Sequence, residues 1–328
     1  MTQYVLRRVA HVIPLLILVS IISFFLIQLP PGDIAETFIL ERIQLGDYPD
    51  ETEIQKIRER YLLDRPIYEQ YLNWVVGFAR GDWGYSYLRG KSVRELIGER
   101  IVLSIVISVA GILFAYLVAI PFGIYSATHQ YSLGDTAVSF AAFIGMATPN
   151  FLLALVLMFV SVMVFGASSV GGLFSPQYIM EPWSLGKVVD FLKHLWMPMI
   201  IVGTAGAASK TRIMRGNLLD NLEQPFVDTA RMKGLTERTV VNKHAVRASI
   251  NPLISILGLT FPAMISGEVI VGEVMGLPTI GPMLLEALRA QDMYLAGAVI
   301  MILSVALIAG NLLADLALAW LDPRIRYR

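Results

Sequence analysis

The sequence has 328 residues, 55% of them hydrophobic and 16% charged, with a mean hydropathy of +0.62. Soluble globular domains carry about a quarter charged residues, and here the apolar residues fall in long uncharged blocks, which marks an integral membrane protein. Lys+Arg and Asp+Glu balance at 26 each, which argues against a nucleic-acid partner, and a cysteine count of zero excludes disulfides, thiolate chemistry and cysteine-held metals.

Arg7 and Arg8 precede an uncharged run from Val9 to Leu29. The apolar region of a cleaved signal is about 7–15 residues long. This run is longer, and Pro30-Pro31-Gly32-Asp33 follows it where a small-residue cleavage site would stand. Residues 1–29 are therefore expected to be a cytoplasmic N-terminus and a retained first transmembrane helix. Residues 30–100 hold 13 Asp/Glu and 10 Lys/Arg and are expected to form a small extracytoplasmic helical domain. Ile54, Ile57, Tyr61 and Leu62, then Ile67, Tyr71, Trp74, Val75 and Phe78, recur at helical spacing on either side of Pro66, which predicts two amphipathic helices. GDWGYS, Gly81 to Ser86, reads as a structural turn with a buried Trp, a solute contact being the alternative.

Residues 101–328 are expected to form a five-helix membrane core with a cytoplasmic loop at 220–247. Ile101–Ala127 and Thr136–Phe165 are long enough to span with some tilt, and Pro149-Asn150 stands mid-block in the second, where a proline kinks a helix and frees a carbonyl. Residues 166–194 are Gly/Ser/Pro-rich and read as an outer loop. Leu195–Ser209 is short as an uncharged run, so its helix is expected to start earlier and run past Arg212, with Lys193 and Lys210 snorkelling. Ala248–Gly267 spans again, Asn251-Pro252 forming its cap and first turn, and Met293–Ala314 is the last run. Six spans put both termini on one side. Residues 209–248 carry eight Lys/Arg and the tail after Asp322 three, against two in 166–194 and one in 272–292, so the termini and the 220–247 loop are read as cytoplasmic.

Glu223 to Arg247, EQPFVDTARMKGLTERTVVNKHAVR, is a charged interruption between the fourth and fifth spans. Pro225 suits a first helical turn, because its missing N–H would have no partner there. Asp228 near the positive end and Arg231 and Lys233 near the negative end complement the helix dipole, and Gly234 fits the left-handed position that closes such a helix. Thr236 can cap a second helix, with Glu237 in its first turn and Lys243, His244 and Arg247 towards its end. Helices this short are marginal in water, so they are expected to be held by the membrane core on one side and a partner on the other. The alternative is a solvated basic loop.

Asp228-Thr229-Ala230 with Gly234 four positions on resembles the E-A-A-x3-G loop of ABC importer permeases, and TARMKG is close to the oligopeptide/dipeptide branch. Asp228 stands for that motif's Glu, Thr229 for its first Ala, and His244 and Arg247 for the Ile and Pro of the wider pattern. LPPGD after the first span, LDRPIYEQYLNW, GDWGYS and the terminal DPRIR also resemble that branch, in the same order along nearly the whole chain. The resemblance implies the type I ABC importer permease fold: an all-α, multi-pass protein of a bacterial-type inner membrane, surrounded by lipid. It implies that Phe226, Asp228, Thr229, Ala230, Lys233, Gly234, Leu235, Glu237 and Arg238 form the loop that docks on a separate ATPase subunit. Implied partners are a second, similar permease, two ATPase subunits and an extracytoplasmic solute-binding protein. No cofactor is implied on this chain, since ATP and Mg belong to the ATPase subunits. Oligopeptides are the implied solute, with oligosaccharides or metal chelates as alternatives.

Gly90-Lys91-Ser92 lacks the earlier glycine of a phosphate-binding loop, because position 85 is Tyr85. His11, His129, His194 and His244 are scattered and form no zinc motif, and no nucleophile motif is present. A membrane enzyme is therefore disfavoured, so this chain is expected to be a transport subunit. A self-contained channel or secondary transporter is disfavoured by the lack of internal repeats and of ionisable residues near the bilayer midplane. Glu268 and Glu273, at the outer end of the fifth span, are either pathway or outer-gate groups or hydrated interfacial carboxylates. Pro149 and Asn150 are the other pathway candidates. Asp315 reads as an interfacial or packing carboxylate, and the small residues of Val202–Ser209 read as a helix-packing surface.

Overall fold

The computed structural model describes the backbone of residues 2–166 and 170–321, and the side chains among them except those of 2–11, 99, 258–259, 261–267 and 313–321. Asp315 and the DPRIR tail lie outside the residues so described.

Helix α1 (Thr2–Gln28) is followed by α2 (Ile34–Gln44), whose N-cap Asp33 accepts the Glu36 N–H at 2.9 Å. The two amphipathic helices expected around Pro66 are α3 (Glu51–Tyr61) and α4 (Ile67–Arg80), with Pro66 at the N-cap of the second. An antiparallel pair of two-residue strands, β1 (Tyr85–Ser86) and β2 (Lys91–Ser92), then departs from an all-α chain. The remaining helices are α5 (Val93–Thr128), α6 (Leu133–Ala147), α7 (Asn150–Met163), α8 (Leu185–Leu222), α9 (Pro225–Met232), α10 (Glu237–Thr239), α11 (Val246–Ser249), α12 (Asn251–Ser255), α13 (Leu257–Met275), α14 (Ile280–Arg289) and α15 (Met293–Leu321). A π-helical turn, Val240–Ala245, joins α10 to α11. Among the described residues α5, α8 and Met293–Leu312 of α15 are each long and apolar enough to cross a membrane.

The chain divides into two compact units. The first comprises Met1–Leu103 and Thr279–Ile308. Its core gathers Phe24, Ile34, Ile57, Tyr61, Trp74 and Tyr294, with Trp74 only 1% exposed. The buried tryptophan of this region is therefore Trp74 and not Trp83 of GDWGYS, which is half-buried and stacks on Phe78 at 5.7 Å between centroids. Gly84 can sit there because its backbone is left-handed, and Asp82 accepts its N–H at 3.0 Å.

Asp292 is fully buried in this unit, where its Oδ1 accepts the Tyr61 hydroxyl at 2.9 Å and the Leu295 N–H at 3.1 Å. Burial pushes its carboxyl above the ordinary 3.8, against the hydrogen bonds of Ser86, Leu295 and Tyr61. A raised folded value means that the folded state binds the extra proton, so stability falls as pH rises from 3.8 through that raised value. Asp292→Asn cannot ionise and is expected to flatten this slope. Thermal unfolding of the purified protein from about pH 4 to about pH 8 checks it, and a slope equal to that of the wild type would count against a carboxyl that must shed charge to be buried.

The second unit comprises Ser104–Pro278 and Ala309–Arg328, in which α8 packs on α6 and α7, and α13 packs on α7 and α8. At Gly123 of α5 an added Cβ would lie 2.6 Å from the Cβ of Met214, so α5 and α8 meet there almost backbone to backbone. The expected start of the fourth span before Leu195 is realised, since α8 runs 38 residues from Leu185 through Arg212 to Leu222. Of the two lysines expected to snorkel, Lys193 is exposed, whereas Lys210 is buried with its Nζ 5.4 Å from the Tyr116 ring centroid.

The break expected at Pro149 is sharper than a kink: Thr136–Phe165 folds as two helices, α6 and α7, bent by 105° at Thr148-Pro149. Thr148 is extended (φ −82°, ψ 118°), as a residue before proline must be, and Pro149 has no N–H to continue the ladder. The fifth span carries Glu268 and Glu273 at its end as expected: after a break at Ile256, α13 runs through both to Met275, where Gly276 in the left-handed region (φ 64°) closes it.

Candidate functional site

The charged interruption folds as two short helical pieces about a glycine. Pro225 opens α9, Gln224 being its N-cap, and the Thr229 hydroxyl donates back to the Pro225 carbonyl at 2.8 Å. Lys233 caps the C-terminal end, and Gly234 follows in the left-handed region at φ +75°, its N–H donating to the Arg231 carbonyl at 2.9 Å. Any other residue type would be strained at that angle. Thr236 takes the N-cap position of α10, but its hydroxyl pairs with that of Thr239 at 2.9 Å and no side-chain cap forms.

Helical spacing sorts α9 into two faces. Val227 (0% exposed) and Ala230 (4%), three residues apart, are buried in a cluster with Ala127, Met214, Leu218, Val240, Ala245 and Leu253. That burial holds an eight-residue helix that could not persist alone. A second tie joins the far end of the interruption to α8: the Ser249 hydroxyl lies 2.8 Å from the Ala245 carbonyl and 3.2 Å from that of Asn217, and Asn221 donates to Ser249 Oγ at 3.1 Å.

The other face is open. Phe226, Asp228, Thr229, Lys233, Gly234, Leu235, Glu237 and Arg238 are all exposed, and Met232 is 87% exposed. Of the nine residues expected to meet a partner, eight share this surface. Ala230 does not, because it is one of the two anchors. Across the open face Arg231 donates to Asp228 at 3.2 Å and to Glu237 at 2.8 and 3.2 Å. The Arg231 guanidinium holds the Glu237 carboxyl below its usual range, and the carboxylates in turn raise Arg231. Pairs this exposed contribute little to stability, so their effect is to fix the shape of the turn around Gly234. Val227, the deepest anchor, is absent from the residues read off the sequence. Its only local signal is the three-residue step to Ala230.

The pathway candidates form no comparable constellation. Glu268 is buried and Glu273 exposed, five positions apart and hence about 140° apart around α13. Pro149 is exposed at the bend and Asn150 half-buried at the start of α7.

Long apolar helices, with an elbow buried on one side and carrying exposed charged and apolar side chains on the other, mark a multi-pass membrane protein that presents a built surface to something beyond itself. The chain belongs to the family of binding-protein-dependent transport system inner membrane components, whose profile matches residues 119–327, while the N-terminal profile of the same systems matches residues 1–110. It is 34% identical over 328 residues to the oligopeptide transport system permease protein AppB of Bacillus subtilis (strain 168), covering 100% of both chains. It is 32% identical to a putative peptide permease protein of Brucella ovis, covering 99% of each, and 29% identical to the oligopeptide transport system permease protein OppB of Haemophilus influenzae, covering 100% of each. One chain of the MetNI methionine ABC transporter, solved in inward-facing conformations, superposes with a TM-score of 0.51 at 13% identity, covering 69% of this chain and 96% of that one. Over that part this mostly helical chain therefore shares the fold of an ABC importer permease chain.

Proposed function

We propose that this chain is one of a pair of permease subunits through which oligopeptides enter the cell. The observation that carries the reading is the elbow at 225–238, buried on one side by Val227 and Ala230 and open along a continuous run from Arg231 to Arg238. The full-length likeness to permeases named for oligopeptides supports the solute class. In this reading the chain crosses the membrane six times with both termini in the cytoplasm, and residues 30–100 face outward. The elbow docks on one of two ATPase subunits, which bind ATP and Mg. Closure of those subunits moves the elbow, and α8 passes the displacement to the helices packed on it. The spans then turn from inward-open to outward-open to receive solute from the docked binding protein, and hydrolysis resets the cycle. Such a cycle requires the elbow to prefer different positions in the two states, because a ligand shifts an equilibrium only by its differential affinity.

The test is reconstitution of the full assembly in proteoliposomes with the binding protein supplied. Uptake of peptide that requires ATP is expected. Flux without ATP through the isolated chain would replace this reading with a self-contained channel, and ATP-driven uptake of oligosaccharide but not peptide would correct the solute.

A further inference from the structure

Asp135 stands in the first turn of α6 and is buried in the second unit. Its carboxylate takes a two-pronged contact from Arg215 of α8, Nε to Oδ1 and Nη2 to Oδ2, both at 2.9 Å. It also accepts the Ser126 hydroxyl and, at 2.9 Å, the Tyr131 N–H, while Arg215 Nε donates to Ser126 Oγ at 3.0 Å. This one carboxylate therefore ties together the end of α5, the 129–132 turn, the first turn of α6 and the cytoplasmic half of α8. Such paired forks fix orientation as well as distance. Ser126 and Arg215 are the immediate chain neighbours of Ala127 and Met214, which line the cluster that buries Val227 and Ala230 of α9. The anchored side of the elbow and the ion pair therefore share the same two helices, one residue apart on each.

We infer that Asp135 and Arg215 are positioning residues for coupling: they make the 126–135 turn ride with the elbow as one rigid piece, so that displacement of α9 reaches α6 directly as well as through α8. The inference rests on the reading of the elbow as an ATPase contact. The ion pair itself touches neither nucleotide nor solute. Its role is to keep α6 from slipping against α8 while the elbow moves.

Two measurements on the complete reconstituted assembly test it. In Asp135→Asn the fork loses its charge and one acceptor, and uptake per ATP hydrolysed is expected to fall roughly tenfold, within the usual range of coupling between sites. Arg215→Lys, which keeps the charge but not the fork, should fall between that variant and the wild type. If both variants keep the wild-type ratio, even with less assembled protein recovered, the pair is only structural and the inference fails. The second measurement uses the absence of cysteine in this chain. Spin labels at Leu133→Cys and Gln224→Cys, both exposed and neither among the residues read as meeting the ATPase, report the separation of the turn from the elbow, with cysteine-free partner subunits. The wild type should keep one narrow distance with and without trapped ATP, and Asp135→Asn should broaden or shift it. A wild-type distance that moves on trapping while uptake remains ATP-dependent overturns the rigid link and leaves the proposed function standing. Uptake that needs no ATP overturns both.

Discussion

Gly234→Val is expected to leave an assembly that forms and hydrolyses ATP but takes up little solute. A Cβ at Gly234 would meet nothing within 4 Å, so the substitution creates no collision. Its cost is in the backbone: a β-branched residue held at φ +75° is strained by about 1–3 kcal/mol. The eight residues of α9 have little helical stability of their own to oppose that strain. The easiest relief is to loosen the C-terminal end beyond Ala230, which displaces Met232, Lys233 and Leu235 but leaves Val227 and Ala230 in their cluster. The exposed surface is thus altered and the anchor is kept. Uptake should fall at least about tenfold, a loss equivalent to roughly 1.4 kcal/mol of coupling, while hydrolysis continues. Asp228→Lys should give the same outcome by another route. It removes one exposed partner of Arg231, which keeps Glu237 at 2.8 Å, and it places a cation at the positive end of the helix. Stability should then shift by no more than about 0.5 kcal/mol, as is usual for surface changes. Solute uptake and phosphate release measured on the same proteoliposomes separate the effects. Normal uptake per ATP in both variants would remove the elbow from the mechanism.

How much of this could be read in advance depended on how local the cause was. Pro225 and Gly234 announce the start and end of α9, because ring closure and the missing Cβ act on the residue that carries them. The extension of α8 through Arg212 was legible for a similar reason, the uncharged run being too short to cross by itself. The angle at Pro149 was not. Proline removes one hydrogen bond and disfavours helical backbone in the residue before it, but whether the chain then kinks or turns through 105° is decided by what α6 and α7 pack against, and both lie along α8. Which side of α9 is buried was equally hidden. Phe226 and Val227 are both apolar, and only the position of Met214 and Leu218 selects the second. Nothing local marks Asp135, since its partner Arg215 lies 80 residues further along the chain.

The first unit offers the other large effect, which tests packing without any assumption about transport. Gly84→Ala is expected to destabilise the purified protein by about 3 kcal/mol, the sum of a strained left-handed alanine and an overpacked contact. The contact is specific: an added Cβ would lie 2.3 Å from Cδ1 and 2.6 Å from Cγ of Tyr294. Tyr294 is poorly placed to yield. Its hydroxyl accepts from Asn73 at 3.1 Å and donates to the Arg60 carbonyl at 3.1 Å, and its ring stands edge-on to Tyr61 at 4.8 Å. Gly297→Ala isolates the steric part, because that glycine has no left-handed backbone and its added Cβ would press on the Trp74 ring, 2.5 Å from Cζ2 and 2.9 Å from Cε2. Pairing it with Trp74→Phe, a smaller ring, should recover part of the loss, which a double-mutant cycle reads as coupling between the two sites. Thermal unfolding followed by tryptophan fluorescence measures both series, with Gly84→Ala the more costly of the two single changes. If Gly84→Ala unfolded at the wild-type temperature, then Tyr294 could not be where its three contacts hold it, and the GDWGYS turn would be free to serve as a solute contact after all.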